Sequence, residues 1–146
     1  MDERELLARL IQCEAGGEGV DGMAAVATVL LNRTRAQEGE FSRVSNGGDL
    51  RAILFQPGQF TCAMEVLRNG RYNPQNIFNM TPEPIHYAIA DAILEGQVLP
   101  EAAESYFFFN PYSESCPQYF PSEVGVFNAR IGEHCFYAPT EAYRQT

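Results

Sequence analysis

The sequence predicts an α+β fold in which helices dominate, and three observations carry that expectation. Apolar residues recur at helical spacing through the N-terminal two thirds, beginning with Leu6, Leu7, Leu10 and Ile11. Beyond Pro100 the texture changes to the aromatic and β-branched runs "SYFFFNPYSES" and "EVGVFNARIGEHCFYAP", cut by Gly, Asn and Pro, which read as short strands or extended loops. The 146 residues, 45% hydrophobic with ten Phe and seven Tyr, suit a single domain spanning 1–146 with ample material for a core.

The elements follow in order. Leu6, Leu7, Leu10 and Ile11 mark a helix from about Asp2 to Ala15, stopped by Gly16-Gly17. Asp21 is the candidate N-cap of a second helix, "GMAAVATVLLNRTR", whose apolar, alanine-rich surface belongs at the centre of the domain. "QEGEFSRVSNGG" reads as a surface loop, and "DLRAILF" as a short helix ended by Pro57-Gly58. "CAMEVLRNGRYNPQNIF" is broken by Asn69-Gly70 and Asn73-Pro74 and fits neither helix nor loop cleanly. The clearest helix is "TPEPIHYAIADAILEG", with Thr81 as cap, Pro82 in the first position, Gly96 as stop, and Ile85, Ala88, Ile89, Ala92 and Ile93 as the buried face.

Charge narrows the function classes. The formal net charge is −9, the chain has no lysine, and its ten arginines are scattered singly, so no basic stripe is present for nucleic acid or an anionic membrane. The longest largely apolar run, Met23 to Leu31, falls short of the ~20 residues that span a bilayer. The start "MDERELLARL" lacks the basic, then apolar, pattern of a secretory signal, so export by that route is not expected. Cys13, Cys62, Cys116 and Cys135 form no C-x-x-C pair, and free buried thiols are expected in preference to a Cys116–Cys135 bridge. His86 and His134 lack short-spaced partners for metal ligation, so neither a metal nor another cofactor is expected.

The segment "LLARLIQCEAGGEG" holds the candidate chemistry. Glu14 stands four residues after Leu10 and three after Ile11, on the face that those residues bury. Burial disfavours the charged carboxylate, and the negative balance of the chain is expected to act in the same sense. A carboxyl group so raised suits a general acid that protonates a glycosidic oxygen, whereas a residue at a fraying helix end would simply reach water. Glu18 is the nearest second carboxylate, or else a partner for the amides that open the second helix. The rival constellation is a thiolate on Cys13 or Cys62 with His134, which would make an amidase or peptidase. A third reading is a binding module without catalysis.

The motifs "ARLIQCEAGGEG", "VATVLLNR", "LFQPGQF", "FFNP" and "IGEHCFY", in this order from Leu6 to Tyr137, resemble the spore-germination cell wall hydrolases of the SleB/CwlJ group. The resemblance implies a lysozyme-like, lytic-transglycosylase-like domain that acts on peptidoglycan glycan strands, with Glu14 as catalytic acid and base. It implies cleavage between N-acetylmuramic acid and N-acetylglucosamine without a cofactor. Gln59, Phe60, Asn110, Tyr112 and Tyr137 are the candidate substrate contacts, the aromatics offering faces to sugar rings and the amides hydrogen bonds. Core packing competes with that role at Phe60 and Tyr137. Glu18 and His134 are candidates for support. The short chain is most similar to the CwlJ branch, which implies synthesis in the cytoplasm followed by deposition in the spore coat with a recruiting protein, or release by a mobile element or phage. Three positions depart from the family pattern: Cys13 replaces a small alanine, Phe109 a tyrosine, and Glu133 an asparagine. The Phe109 change removes a hydroxyl, and Glu133 places a charge next to His134, favouring its protonated form.

Overall fold

The computed structural model describes all residues, Met1 to Thr146. Helix α1 (Glu3–Ala15) is capped by the Asp2 carboxylate, which accepts from Glu5 N at 2.8 Å. Helix α2 (Gly19–Thr34) follows after only three residues. Leu6, Leu7, Leu10 and Ile11 are at most 1% exposed and face α2 and helix α5 (described below), while Ala25 and Ala27 of α2 are fully buried and let its neighbours close in. The expected cap at Asp21 is corrected. Gly19, at φ +78°, turns the chain into the helix two residues earlier, leaving Asp21 exposed in the first turn, where its charge suits the helix dipole.

The stretch expected to be a surface loop contains helix α3 (Gly39–Ser45). Its anchor lies far away in sequence: the Tyr143 hydroxyl accepts from Phe41 N at 3.1 Å and donates to Glu38 O at 2.8 Å. A Cβ on Gly39 would stand 2.7 Å from the Tyr143 ring, so this position admits only glycine. Helix α4 (Leu50–Leu54) ends ahead of Pro57-Gly58 as expected. The segment from Phe60 to Asn79 contains two single 3₁₀ turns, Thr61–Ala63 and Ile77–Asn79, and an isolated Val66–Tyr72 bridge around Asn69-Gly70.

Helix α5 (Pro84–Leu94) starts two residues later than its sequence suggests. "TPEP" offers two prolines for the first position, and the second is used. His86 Nδ1 accepts from Glu83 N at 2.9 Å, which gives this histidine a capping role. The phase of the helix differs accordingly: His86, Ile89, Ala90 and Ile93 are buried, while Ile85 is 42% exposed and Ala88 also faces water.

The C-terminal region forms a three-stranded antiparallel sheet in the order β1 (Phe107–Phe109), β3 (His134–Pro139), β2 (Gly125–Ile131), followed by the single turn α6 (Glu141–Arg144). Phe108 pairs with Phe136 and Ile131 with His134, which closes a two-residue hairpin at Gly132-Glu133. Gly132 has φ +59°, the conformation that the first central position of a type II′ turn requires.

The cysteines are corrected outright. Two disulfides, Cys13–Cys62 and Cys116–Cys135, leave no free thiol. Sequence separations of 49 and 19 residues explain why spacing gave no sign of the pairs. No helix is long and apolar enough to cross a membrane.

The phase of α5 gives a direct expectation for stability. Ile93→Ala should lower the free energy of unfolding by about 2–5 kcal/mol, and Ile85→Ala by no more than about 0.5 kcal/mol. Urea unfolding of both variants measures the difference, and equal losses would contradict this helix phase.

Candidate active site

The largest cavity is a groove of about 730 Å³ between the α1–α2 corner, the loop at residues 59–61 and the sheet. Its size falls within the range of small-ligand sites. Glu14 lines it from the last turn of α1, where burial raises the pKa of its carboxyl group. Two groups oppose that rise: Cys62 N–H, which donates to Oε1 at 3.4 Å, and the Arg33 charge. The expected help from the net charge of the chain is corrected, because the charge acting most directly on Glu14 is positive.

Arg33 is the groove residue that sequence reasoning missed. It is 5% exposed at the end of α2, with its guanidinium over the rings of Phe41, Phe60 and Phe107 at 4.4, 5.1 and 5.7 Å. Nε donates to Tyr106 O at 2.7 Å and Nη1 to Gln59 Oε1 at 3.2 Å. Burial pushes its pKa down to about 10, which still leaves it charged near neutral pH. The signal was the one that singled out Glu14, a charged residue ending an apolar helical run.

Glu18 occupies the other wall, and its role at the α2 amides is corrected. It makes no side-chain cap bond there and turns to the hairpin instead. Its Oε2 accepts from Glu133 N at 3.3 Å, and its Oε1 lies 2.6 Å from His134 Nδ1. A Cβ on Gly132 would stand 2.9 Å from Glu18 Oε2, so the turn glycine also makes room for this contact. The Glu133 carboxylate points elsewhere, 3.7 Å from Arg130, so the acid facing His134 is Glu18.

The substrate candidates divide. Gln59, Phe60, Asn110 and Tyr112 all line the groove. Phe60 is only 3% exposed and forms wall beneath Arg33. Asn110 Oδ1 accepts from Tyr112 N at 2.8 Å, and Tyr112 projects with 89% of its surface in water from a left-handed backbone, φ +53°. Such a conformation in a non-glycine residue is uncommon and is found most often where a side chain must be aimed. Tyr137 is corrected: it is fully buried, and its hydroxyl donates to Pro117 O at 2.7 Å. Phe109, which lacks the hydroxyl of the family tyrosine, lines the groove and stacks on Phe120 at 4.0 Å. The thiolate constellation is also corrected, since Cys13 and Cys62 are bonded to each other.

The domain is helical, with a buried acid in an open groove beside a small sheet, and the sequence places it among the cell wall hydrolases. Residues 17–137 match the Cell Wall Hydrolase family, and the chain belongs to it; the match begins three residues after Glu14. It is 32% identical over 136 residues to cell wall hydrolase CwlJ of Bacillus subtilis, covering 93% of this chain and 84% of the relative. It is 31% identical over 141 residues to CwlJ of Oceanobacillus iheyensis, covering 96% and 89%. The fold matches the catalytic domain of the germination-specific lytic transglycosylase SleB from Bacillus anthracis at a TM-score of 0.61 and 20% identity, over 94% of this chain and 96% of that one. The SleB catalytic domain of Bacillus cereus matches at 0.59 and 23%, over 92% and 88%. The chain is therefore a SleB/CwlJ-type cell wall hydrolase with a lysozyme-like fold.

The Glu14 environment has a sign that stability measurements can read. A carboxyl group whose folded pKa lies above its unfolded value of ~4.3 takes stability from the fold as pH rises through that interval. Glu14→Gln removes this loss. The variant should melt at a higher temperature than the parent near neutral pH, with the gap closing as pH falls towards ~4. A constant gap across the titration would mean that the environment of Glu14 does not disfavour its charge.

Proposed function

We propose that the chain, acting as one catalytic domain, cleaves the glycan strand of peptidoglycan between N-acetylmuramic acid and N-acetylglucosamine as a lytic transglycosylase. The observation that carries this reading is a groove with one raised carboxyl group and a second carboxylate already engaged. Glu14, whose protonated form burial favours, donates to the glycosidic oxygen as that bond breaks. The carboxylate left behind faces Arg33 and Cys62 N–H, which stabilise its charge. It then accepts the proton of the muramic acid 6-hydroxyl as that oxygen attacks the anomeric carbon and closes a 1,6-anhydro ring. No second carboxylate is needed. Glu18, held at both oxygens by the hairpin, is a positioning residue that ties the α1–α2 corner to the sheet.

Gln59, Asn110 and Tyr112 supply the substrate contacts, with the exposed Tyr112 ring offering a face to a sugar. The name of the SleB neighbour, a germination-specific lytic transglycosylase, accords with the reading, and kinship with CwlJ favours a spore setting in which the chain reaches the cortex from the coat with a recruiting partner.

Mass spectrometry of digested peptidoglycan tests the reaction. Anhydro-muropeptides are expected; reducing muramic acid ends would mean hydrolysis, free stem peptides an amidase, and unchanged material a binding module. Glu14→Gln should lower turnover at least ~100-fold, and activity in the parent should fall as pH rises through the raised Glu14 pKa.

Glu18→Gln should cost less than about tenfold, under ~1.4 kcal/mol of barrier. It should also lower stability, because it weakens the contacts that the two carboxylate oxygens make with the hairpin. Turnover and thermal melting measured together separate this from a catalytic role, which would reduce turnover as far as Glu14→Gln does.

A further inference from the structure

We propose that the Cys13–Cys62 bridge is a positioning device for the acid, holding the Cys62 amide against Glu14 and making the acid sensitive to the redox state of this pair. The inference rests on Glu14 as the acid. Cys13 immediately precedes Glu14 on α1, and Cys62 carries the N–H that donates to Glu14 Oε1, so one covalent link fixes both ends of that hydrogen bond. At 3.4 Å the bond is at the long end of the useful range, and a displacement of about 0.5 Å would end it. The turn at Thr61–Ala63 is also held by its own backbone bonds, Ala63 N–H to Phe60 O and Met64 N–H to Thr61 O, both at 3.0 Å. Phe60 is buried, and Asn73 Nδ2 donates to the carbonyls of Thr61, Met64 and Gln75, but none of these contacts acts on the Cys62 amide. The other charged or titratable groups around the groove are Arg33 from α2, Glu18 from the α1–α2 corner, and Glu133 and His134 from the hairpin, while residues 59–63 present none. Opening the bridge leaves all of these in place, so the amide is the contact to Glu14 that the crosslink governs.

Reduction by a dithiol has a defined course. Two thiol–disulfide exchanges break the Sγ–Sγ bond, each cysteine sulfur takes a proton to become a thiol, and the reagent closes to its cyclic disulfide. The Glu14 carboxylate then loses its amide donor. Its titration midpoint should move upward, because the hydrogen bond favours the charged form, while turnover falls because the carboxyl group is no longer held in one place.

The test uses full-length protein with ¹³C-labelled glutamate, and the Glu14 carboxyl signal is assigned by its loss in Glu14→Gln. In Cys13→Ala/Cys62→Ala the midpoint should rise by at least about 0.4 pH relative to the parent, and in Cys116→Ala/Cys135→Ala it should not move. Turnover in Cys13→Ala/Cys62→Ala should fall at least about threefold, with the alkaline limb displaced in the same direction as the midpoint. An unmoved midpoint, or the same displacement in both double variants, would overturn the proposal. Should Cys13→Ala/Cys62→Ala not fold, adding dithiothreitol to folded Cys116→Ala/Cys135→Ala opens the first bridge alone and gives the same comparison. The midpoint reads the bridge whether or not Glu14 is the acid. An active Glu14→Gln therefore defeats the functional reading, and an unmoved midpoint defeats this one.

Discussion

Placing Glu14 in the last turn of α1 sets burial against its charged form, because burial removes the water that would solvate it. A surface glutamate would escape this by turning outward. Here the face is fixed by Leu7, Leu10 and Ile11, which commit the helix to α2 and α5 and carry Glu14 with them. The apolar stripe therefore determines the protonation behaviour of the acid as well as the packing of the helix. Arg33 acts as the counterweight. The Glu40 charge opposes the cost of its burial, aromatic faces and two acceptors hold it in place, and it limits how far Glu14 can rise.

The opposite wall is organised by geometry. Only glycine at 132 lets the two-residue hairpin turn and at the same time lets Glu18 approach its backbone. The hairpin then presents Glu133 N–H and His134 to a carboxylate that the three-residue α1–α2 connection holds in place. The α1–α2 corner thus carries two glutamates with opposite assignments, Glu14 in the last turn of α1 and Glu18 in the connection. The first stands over the groove with a single backbone donor, whereas the second is engaged at both oxygens by the sheet. That difference, more than the separation of the two carboxyl groups, argues for a mechanism with one acid.

What was legible in the sequence was whatever depends on neighbours three or four residues apart. The α1 stripe, the alanine-rich centre of α2, the stop at Pro57-Gly58 and the anomaly of Glu14 are all local patterns, and the structure contains them. The errors share a cause in contacts that sequence distance hides. Helix α3 exists because Tyr143, about a hundred residues away, binds its first turn. The α5 phase was set by which of two prolines begins the helix, and only packing against α1 and α2 resolves that. Tyr137 offered a plausible sugar platform until the sheet register placed it opposite Phe107 and inside the core. Arg33 could have been found, since a lone charge ending an apolar helix is as informative on α2 as on α1.

The two bridges bear on how the fold tolerates its own site. A carboxyl group held where its charge is disfavoured, and a left-handed Tyr112 on the rim, both draw on stability, the second by about 1–3 kcal/mol. In the chain-entropy picture, closing a loop of 49 residues offsets about 4 kcal/mol and one of 19 residues about 3 kcal/mol. The longer bridge ends on the residue before Glu14, so the crosslink with the larger effect adjoins the buried carboxyl group. Crosslinks of this kind persist in oxidising surroundings. Position adds what entropy does not: a bridge elsewhere would stabilise the domain equally well without fixing the distance between Glu14 and the amide that faces it.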